Sequence, residues 1–151
     1  MMSYLQDLYQ EIILDHNKRP RNCGKLDCAT CQANGYNPLC GDKITIYLRL
    51  EGDRVQECTF EGNGCAISTA SASLMTEIIK GKTIDEVKEL FERFHDLVTG
   101  QEELDELKAG LGKLQALAGV REFPMRVKCA TLAWHTLNAA LRSEETPVST
   151  E

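Results

Sequence analysis

Asn37-Pro38-Leu39-Cys40-Gly41-Asp42 reads as a tight turn that feeds a strand beginning at Lys43. Pro38 fixes one backbone angle and Gly41 accepts conformations that other residues avoid, so this is irregular backbone between regular elements. The turn carries a thiol, Cys40, and a carboxylate, Asp42, two residues apart. Immediately after it, Ile44, Ile46, Leu48 and Leu50 alternate with Thr45, Tyr47 and Arg49, the pattern of a half-buried strand. Glu51-Gly52-Asp53 reverses the chain into a second strand, about Arg54 to Phe60. A hairpin with one polar face is antiparallel, and its apolar face needs helices to cover it. The expected class is therefore α+β.

Toward the N-terminus, Ser3 and Gln6 form a capping-box pattern, and Leu5, Leu8 and Ile12 follow at helical spacing. That helix should stop near Asn17, ahead of Lys18-Arg19-Pro20. His16 is expected to cap or pack locally at its end. Residues 21–39 read as a loop containing Cys23, Cys28 and Cys31. Cys28-Ala29-Thr30-Cys31 has the spacing of a metal or redox pair, yet a four-ligand zinc site needs a second pair that is absent, so these read as incidental loop cysteines.

Toward the C-terminus, Cys58 within the second strand is expected as a small buried thiol. Gly62-Asn63-Gly64 then leads into a helix opened by Cys65, with Ile67, Ala70, Leu74 and Ile78 as its stripe, ended by Gly81. Thr83 and Glu86 make a capping box for an amphipathic helix carrying Ile84, Val87, Leu90, Phe91, Phe94 and Leu97, and Gly100 breaks it. Leu104, Leu107, Leu111 and Leu114 resume helical spacing, interrupted by Gly110 and Gly112, and Gly119 to Pro124 reads as a linker loop. Pro124 opens a last helix whose stripe is Val127, Ala130, Trp134, Leu137 and Leu141. Residues 1–142 make one domain and 143–151 a polar tail.

Composition narrows the function. A chain of 151 residues with 42% hydrophobic and 26% charged residues is an ordinary globular domain. A net charge of −6 without any basic stripe argues against nucleic acid. There is no secretory pattern at the start and no apolar run of membrane-spanning length, so a cytoplasmic location is expected. Seven cysteines in such a chain point to reduced thiols, metal ligands or reactive sulfur rather than a disulfide frame.

Three cysteines sit at junctions: Cys40 on the turn, Cys65 at a helix start, and Cys129 near the start of the last helix. A helix N-terminus stabilises a thiolate, which is both the metal ligand and the nucleophile. Cys40, Asp42, Cys65 and Cys129 are therefore expected to converge as one site: three thiolates and one carboxylate make a tetrahedral zinc set, easier to open than four cysteines. A Cys40 thiolate in such a site could take a sulfur from a partner and become a persulfide; the alternative is a closed zinc knot. Lys128 and Arg126 either tune Cys129 or dock an acidic partner, or are solvated charge at a helix start.

Asn37 to Asp42, Phe60-Glu61-Gly62-Asn63-Gly64-Cys65-Ala66-Ile67-Ser68, and Phe123-Pro124-Met125-Arg126-Val127-Lys128-Cys129-Ala130-Thr131-Leu132 resemble the iron–sulfur assembly family of IscU- and NifU-type proteins, and within it the SufU branch. The likeness extends to Asp15-His16 and Pro20-Arg21-Asn22. The resemblance implies a three-stranded antiparallel sheet packed against several helices, with Cys40, Asp42, Cys65 and Cys129 as ligands. Scaffold members have a histidine before the last cysteine, where this chain has Lys128, and a shorter connection than residues 82–122. They also carry a Leu-Pro-Pro-Val-Lys stretch that Glu122 to Lys128 does not match. The resemblance therefore implies a zinc-dependent sulfurtransferase that accepts sulfur on Cys40 from a SufS-like cysteine desulfurase, with Arg126 and Lys128 near the docking surface, and passes it to downstream assembly or acceptor proteins. The alternative it carries is a scaffold holding iron or a transient [2Fe–2S] cluster. A zinc-stabilised interaction module without chemistry, and a thiol-redox enzyme built on Cys28 and Cys31, rank behind these.

Overall fold

The computed structural model describes residues 2–38, 41–100, 111–142 and 148–149. A first helix, α1 (Met2–Lys18), leads into strands β1 (Cys31–Asn37), β2 (Asp42–Glu51) and β3 (Arg54–Asn63). Helices α2 (Ala66–Ile79) and α3 (Ile84–Thr99) follow, then a 3₁₀ helix (Gly112–Glu122), α4 (Pro124–Leu141) and a short strand β4 (Val148–Ser149). The sheet order is β3-β2-β1-β4. The central strand β2 pairs antiparallel with both β1 and β3, which bears out the α+β class and the three-stranded antiparallel sheet. β4, from the segment read as a polar tail, adds two residues parallel to β1.

β1 corrects the expectation of a loop across residues 21–39. Its buried positions are Ala33, Gly35 and Asn37, alternating with exposed Gln32, Asn34 and Tyr36. The period is that of a strand, but the inward residues are small or polar, so apolar patterning does not reveal it. They are small because α4 lies directly on them. A Cβ at Gly35 would stand 2.0 Å from Thr136 Oγ1. Gly35 is thus the seat of α4 on the sheet.

The helices bury their expected faces. α3 places Val87, Leu90, Phe94 and Leu97 inward, starts on the reciprocal Thr83–Glu86 capping box, and ends at Gly100 with φ of 76°. Trp134 of α4 is fully buried and stacks on Phe94 with ring centroids 4.9 Å apart. The 3₁₀ helix replaces the helical continuation expected from Leu111 and Leu114 and extends through residues 119–122, which were expected as linker; Leu104 and Leu107 lie outside the described residues. Leu111, Leu114, Leu117 and Val120 are all buried at intervals of three. A 3₁₀ helix has three residues per turn, so this spacing puts all four side chains on one line against the core.

α2 is covered all round. Residues 70 to 76 are buried without a break, including Ser71, Ser73 and Thr76. Each hydroxyl has a specific partner. Ser71 Oγ donates to the Ala130 carbonyl of α4 at 2.6 Å. Ser73 Oγ accepts the Arg21 backbone N–H at 2.8 Å and lies 2.7 Å from His16 Nδ1. Thr76 Oγ1 accepts from Asn22 Nδ2 at 3.1 Å. His16 is therefore no local cap. It is 1% exposed and pins α1 to α2, with Nε2 3.5 Å from Glu77 Oε1. Asp15 beside it pairs with Arg21 at 2.6 Å.

Candidate metal centre

The antiparallel register brings the end of β1, the start of β2 and the end of β3 to one edge of the sheet, since Asn37 pairs with Asp42 and Lys43 with Asn63. β3 runs straight into α2, and α4 crosses the same edge on the helical side. Asp42, Cys65 and Cys129 meet there. One ligand atom from each lies within 4.8 Å of the others.

Local chemistry fixes each side chain. Asp42 is 1% exposed, a placement a carboxylate tolerates only with charge-compensating partners. Its Oδ1 accepts the Cys65 backbone N–H at 2.8 Å, and its Oδ2 lies 3.9 Å from Cys65 Sγ. Cys65 is the N-cap of α2, and its sulfur accepts the Ser68 N–H at 3.4 Å. This is the helix-end position expected from sequence, with a free amide pointing at the thiol. Cys129 is 3% exposed and accepts an N–H from Asn37 Nδ2 at 3.6 Å.

The glycines around Cys65 sit close against neighbouring atoms. A Cβ at Gly62, whose φ is 147°, would sit 2.1 Å from the Lys43 carbonyl oxygen. One at Gly64 would stand 3.1 Å from both Asp42 Oδ1 and Ser68 Oγ. The positive φ and the Lys43 backbone require glycine at Gly62, and Gly64 lets the β3–α2 junction sit close to the Asp42 carboxylate.

Cys40 lies outside the described residues. Next to it in sequence, Gly41, with φ of 74°, donates its N–H to the Asn37 carbonyl at 2.9 Å. Cys129 departs from the expected helix end: α4 begins at Pro124, so its sixth residue is past the first turn and gains nothing from the free amides. It is also buried. Lys128 is half-buried, and Arg126 is exposed with its guanidinium 4.5 Å from the Phe123 ring centroid.

The remaining cysteines do not join the cluster. Cys23 and Cys28 are exposed, Cys31 is half-buried and Cys58 is buried as expected. Cys31 pairs with Leu48 and Leu48 with Cys58, so both belong to the other end of the sheet. Burial pushes both of their thiols up, Cys58 much further. Arg49 reaches Cys28 Sγ at 3.6 Å. The functional neighbour that sequence reasoning missed is Asn37. It stands inside the stretch quoted first, where only its role in the turn was weighed.

The donor set suits zinc: two sulfurs and an oxygen match its ligand preferences, and the 4.8 Å limit on their separation is close to the roughly 3.5–4 Å between donors on a tetrahedral ion. All three also carry N–H partners of the kind that orient metal ligands. Among the described residues no helix is long and apolar enough to cross a membrane.

The chain is similar over most of its length to proteins already known. A zinc-dependent sulfurtransferase, SufU, of Bacillus subtilis is 46% identical over 142 residues, covering 93% of this chain and 94% of the relative. An iron–sulfur cluster assembly scaffold protein, IscU, of Streptococcus pyogenes is 42% identical over 142 residues, covering 93% and 87%. The crystal structure of a protein described as a scaffold for the SUF system, from Fervidobacterium islandicum, superposes with a TM-score of 0.80 at 39% identity, covering 87% of this chain and 94% of that one. Residues 8–130 match the NifU-like N-terminal domain. On that match, which takes in Asp42, Cys65 and Cys129, the chain belongs to the NifU-like N-terminal domain family.

Proposed function

We propose that this chain is a zinc-dependent sulfur acceptor in iron–sulfur cluster biogenesis, taking sulfur from a cysteine desulfurase on Cys40. The observation that carries the proposal is the convergence of Asp42, Cys65 and Cys129 within 4.8 Å, on three elements that come together only in the fold. The Bacillus subtilis relative, named a zinc-dependent sulfurtransferase, supports the choice of metal and reaction.

Asp42, Cys65 and Cys129, with Cys40 from the neighbouring turn, would hold the ion. A cysteine sulfur bound to zinc is a thiolate at neutral pH. In the transfer, the Cys40 thiolate attacks the outer sulfur of a persulfide on the desulfurase. A new S–S bond forms at Cys40, the donor's S–S bond breaks, and the donor cysteine leaves as its thiolate. The persulfide proton travels with the transferred sulfur, and no net oxidation or reduction occurs. Arg126 is exposed and lies on the same helix as Cys129, where it can meet an acidic partner surface, and Lys128 adds a second positive charge next to the ligand. Reduced thiols of this kind belong to a cytoplasmic setting.

The test is metal analysis of the purified chain together with a desulfurase turnover assay. The expected result is one zinc per chain, stimulation of turnover, and loss of that stimulation in Cys40→Ala. Full stimulation by Cys40→Ala overturns the acceptor role. The name of the Streptococcus pyogenes relative favours a second reading, a scaffold for a transient [2Fe–2S] cluster on the same ligands. Anaerobic reconstitution with iron and sulfide separates the two, since only a scaffold yields a stable cluster that passes to an apo-acceptor.

A further inference from the structure

Asn37 is buried completely, and its carboxamide points its N–H at the Cys129 sulfur, 3.6 Å away. Its Oδ1 has no hydrogen-bond partner among the described residues. A buried carboxamide with an orphaned acceptor costs more than an apolar side chain of the same shape, so packing alone gives no reason for asparagine here. The residue's other links all lead to the same place. Its backbone pairs with Asp42 and its carbonyl accepts the Gly41 N–H.

We propose that Asn37 is a positioning residue for the metal centre, whose N–H···S bond fixes Cys129 as the ligand that stays in place while sulfur is exchanged at Cys40. The inference rests on the metal reading above and names what holds one of its thiolates. A hydrogen bond to a thiolate stabilises the charged form that binds a metal and fixes its direction, while lowering the energy of the sulfur lone pair and so making it a weaker nucleophile. Cys129 is thereby held and shielded. Cys65 is held by Ser68 N–H and Asp42 by Cys65 N–H, so all three described ligands are anchored.

The experiment loads the full chain with Co²⁺ in place of zinc and compares wild type, Asn37→Leu, Asn37→Ala and Cys65→Ala. Affinity is read by competition with a chelator, the sulfur-to-cobalt charge-transfer band by near-ultraviolet absorbance, and metal-free stability by urea unfolding. Asn37→Leu is expected to weaken Co²⁺ binding about 10- to 100-fold, the usual effect of losing such a partner. It should also move the band to longer wavelength and leave metal-free stability equal or higher. Asn37→Ala is read by the same affinity and band shift if the leucine variant does not fold. Wild-type affinity and an unshifted band in the variants overturn the role of Asn37, as does a loss of metal-free stability with affinity retained. A wild type that takes up no Co²⁺, or a Cys65→Ala variant that binds as well as wild type, overturns the metal reading itself and this inference with it.

Discussion

Gly35→Ala tests whether the seating of α4 on β1 is as tight as the contact implies. The added Cβ would meet Thr136 Oγ1 at 2.0 Å, with Leu132 Cδ1 at 3.2 Å and Thr136 Cβ at 3.3 Å. Helix and strand must part by about 1 Å to reach the shortest separation that real Cβ atoms show. Thr136 cannot swing aside cheaply, because its hydroxyl is buried and donates to the Leu132 carbonyl at 2.7 Å. Overpacking of this kind costs about 1–3 kcal/mol. For a chain of this size that lowers the melting temperature by roughly 3–10 °C. Thr136→Ala alone should cost about 1 kcal/mol through its lost hydrogen bond. The double variant should be more stable than the sum of the two, with a coupling of about 1 kcal/mol or more, because the offending oxygen is gone. The assay is urea and thermal unfolding in the presence of a chelator, so that metal binding does not enter the balance. A Gly35→Ala chain that melts at or above wild type, or a strictly additive double variant, would refute the close approach.

Two further outcomes follow from other parts of the fold. Thr83→Ala removes the side chain that accepts the Glu86 N–H at 3.2 Å and should cost about 1 kcal/mol in urea unfolding, with Thr83→Ser retaining most of it. Burial holds the His16 imidazole below its usual range, Arg21 and Lys113 add to this, and Glu77 and Asp15 oppose it. Folded and unfolded chains therefore carry the same neutral ring well above pH ~6.5. As pH falls below that value the unfolded chain gains a proton that the folded one refuses, so stability drops, by at most about 1.4 kcal/mol per pH unit for this group, until the buried ring protonates too. His16→Gln should flatten that part of the profile between pH 7.5 and 5, and an unchanged slope would show that the ring does not carry it.

Much of the architecture was legible because its boundaries are made by residues with local chemistry. Gly52 at the hairpin, Pro124 at the start of α4, the Thr83–Glu86 box and Gly100 act through their own backbone, so they declare themselves in sequence. What escaped was set by partners far along the chain. β1 could not be seen because its inward residues answer to α4, about a hundred positions later, and not to a preference for strands. His16 looked like a helix end because nothing near it in sequence announces Ser73. Leu111 and Leu114 were read with the period of an α-helix and Val120 as part of a linker, although the three-residue spacing from Leu111 to Val120 was present in the sequence. At the site, Asp42 and Cys65 were placed by their junctions, whereas the depth of Cys129 and its contact with Asn37 depend on how α4 lies across the sheet.

The hydroxyls along α2 have a consequence for distances at the sheet edge. Ser71, Ser73 and Thr76 engage three different neighbours, so the helix cannot creep along its axis without breaking all of those contacts together. A shift of a single residue would carry the Cys65 sulfur about 1.5 Å. Metal–ligand bonds tolerate displacements of only about 0.2 Å. The spacing of the Asp42, Cys65 and Cys129 cluster is thus held from the body of the helix, roughly two to three turns from Cys65, and a conservative-looking serine replacement there is expected to loosen it.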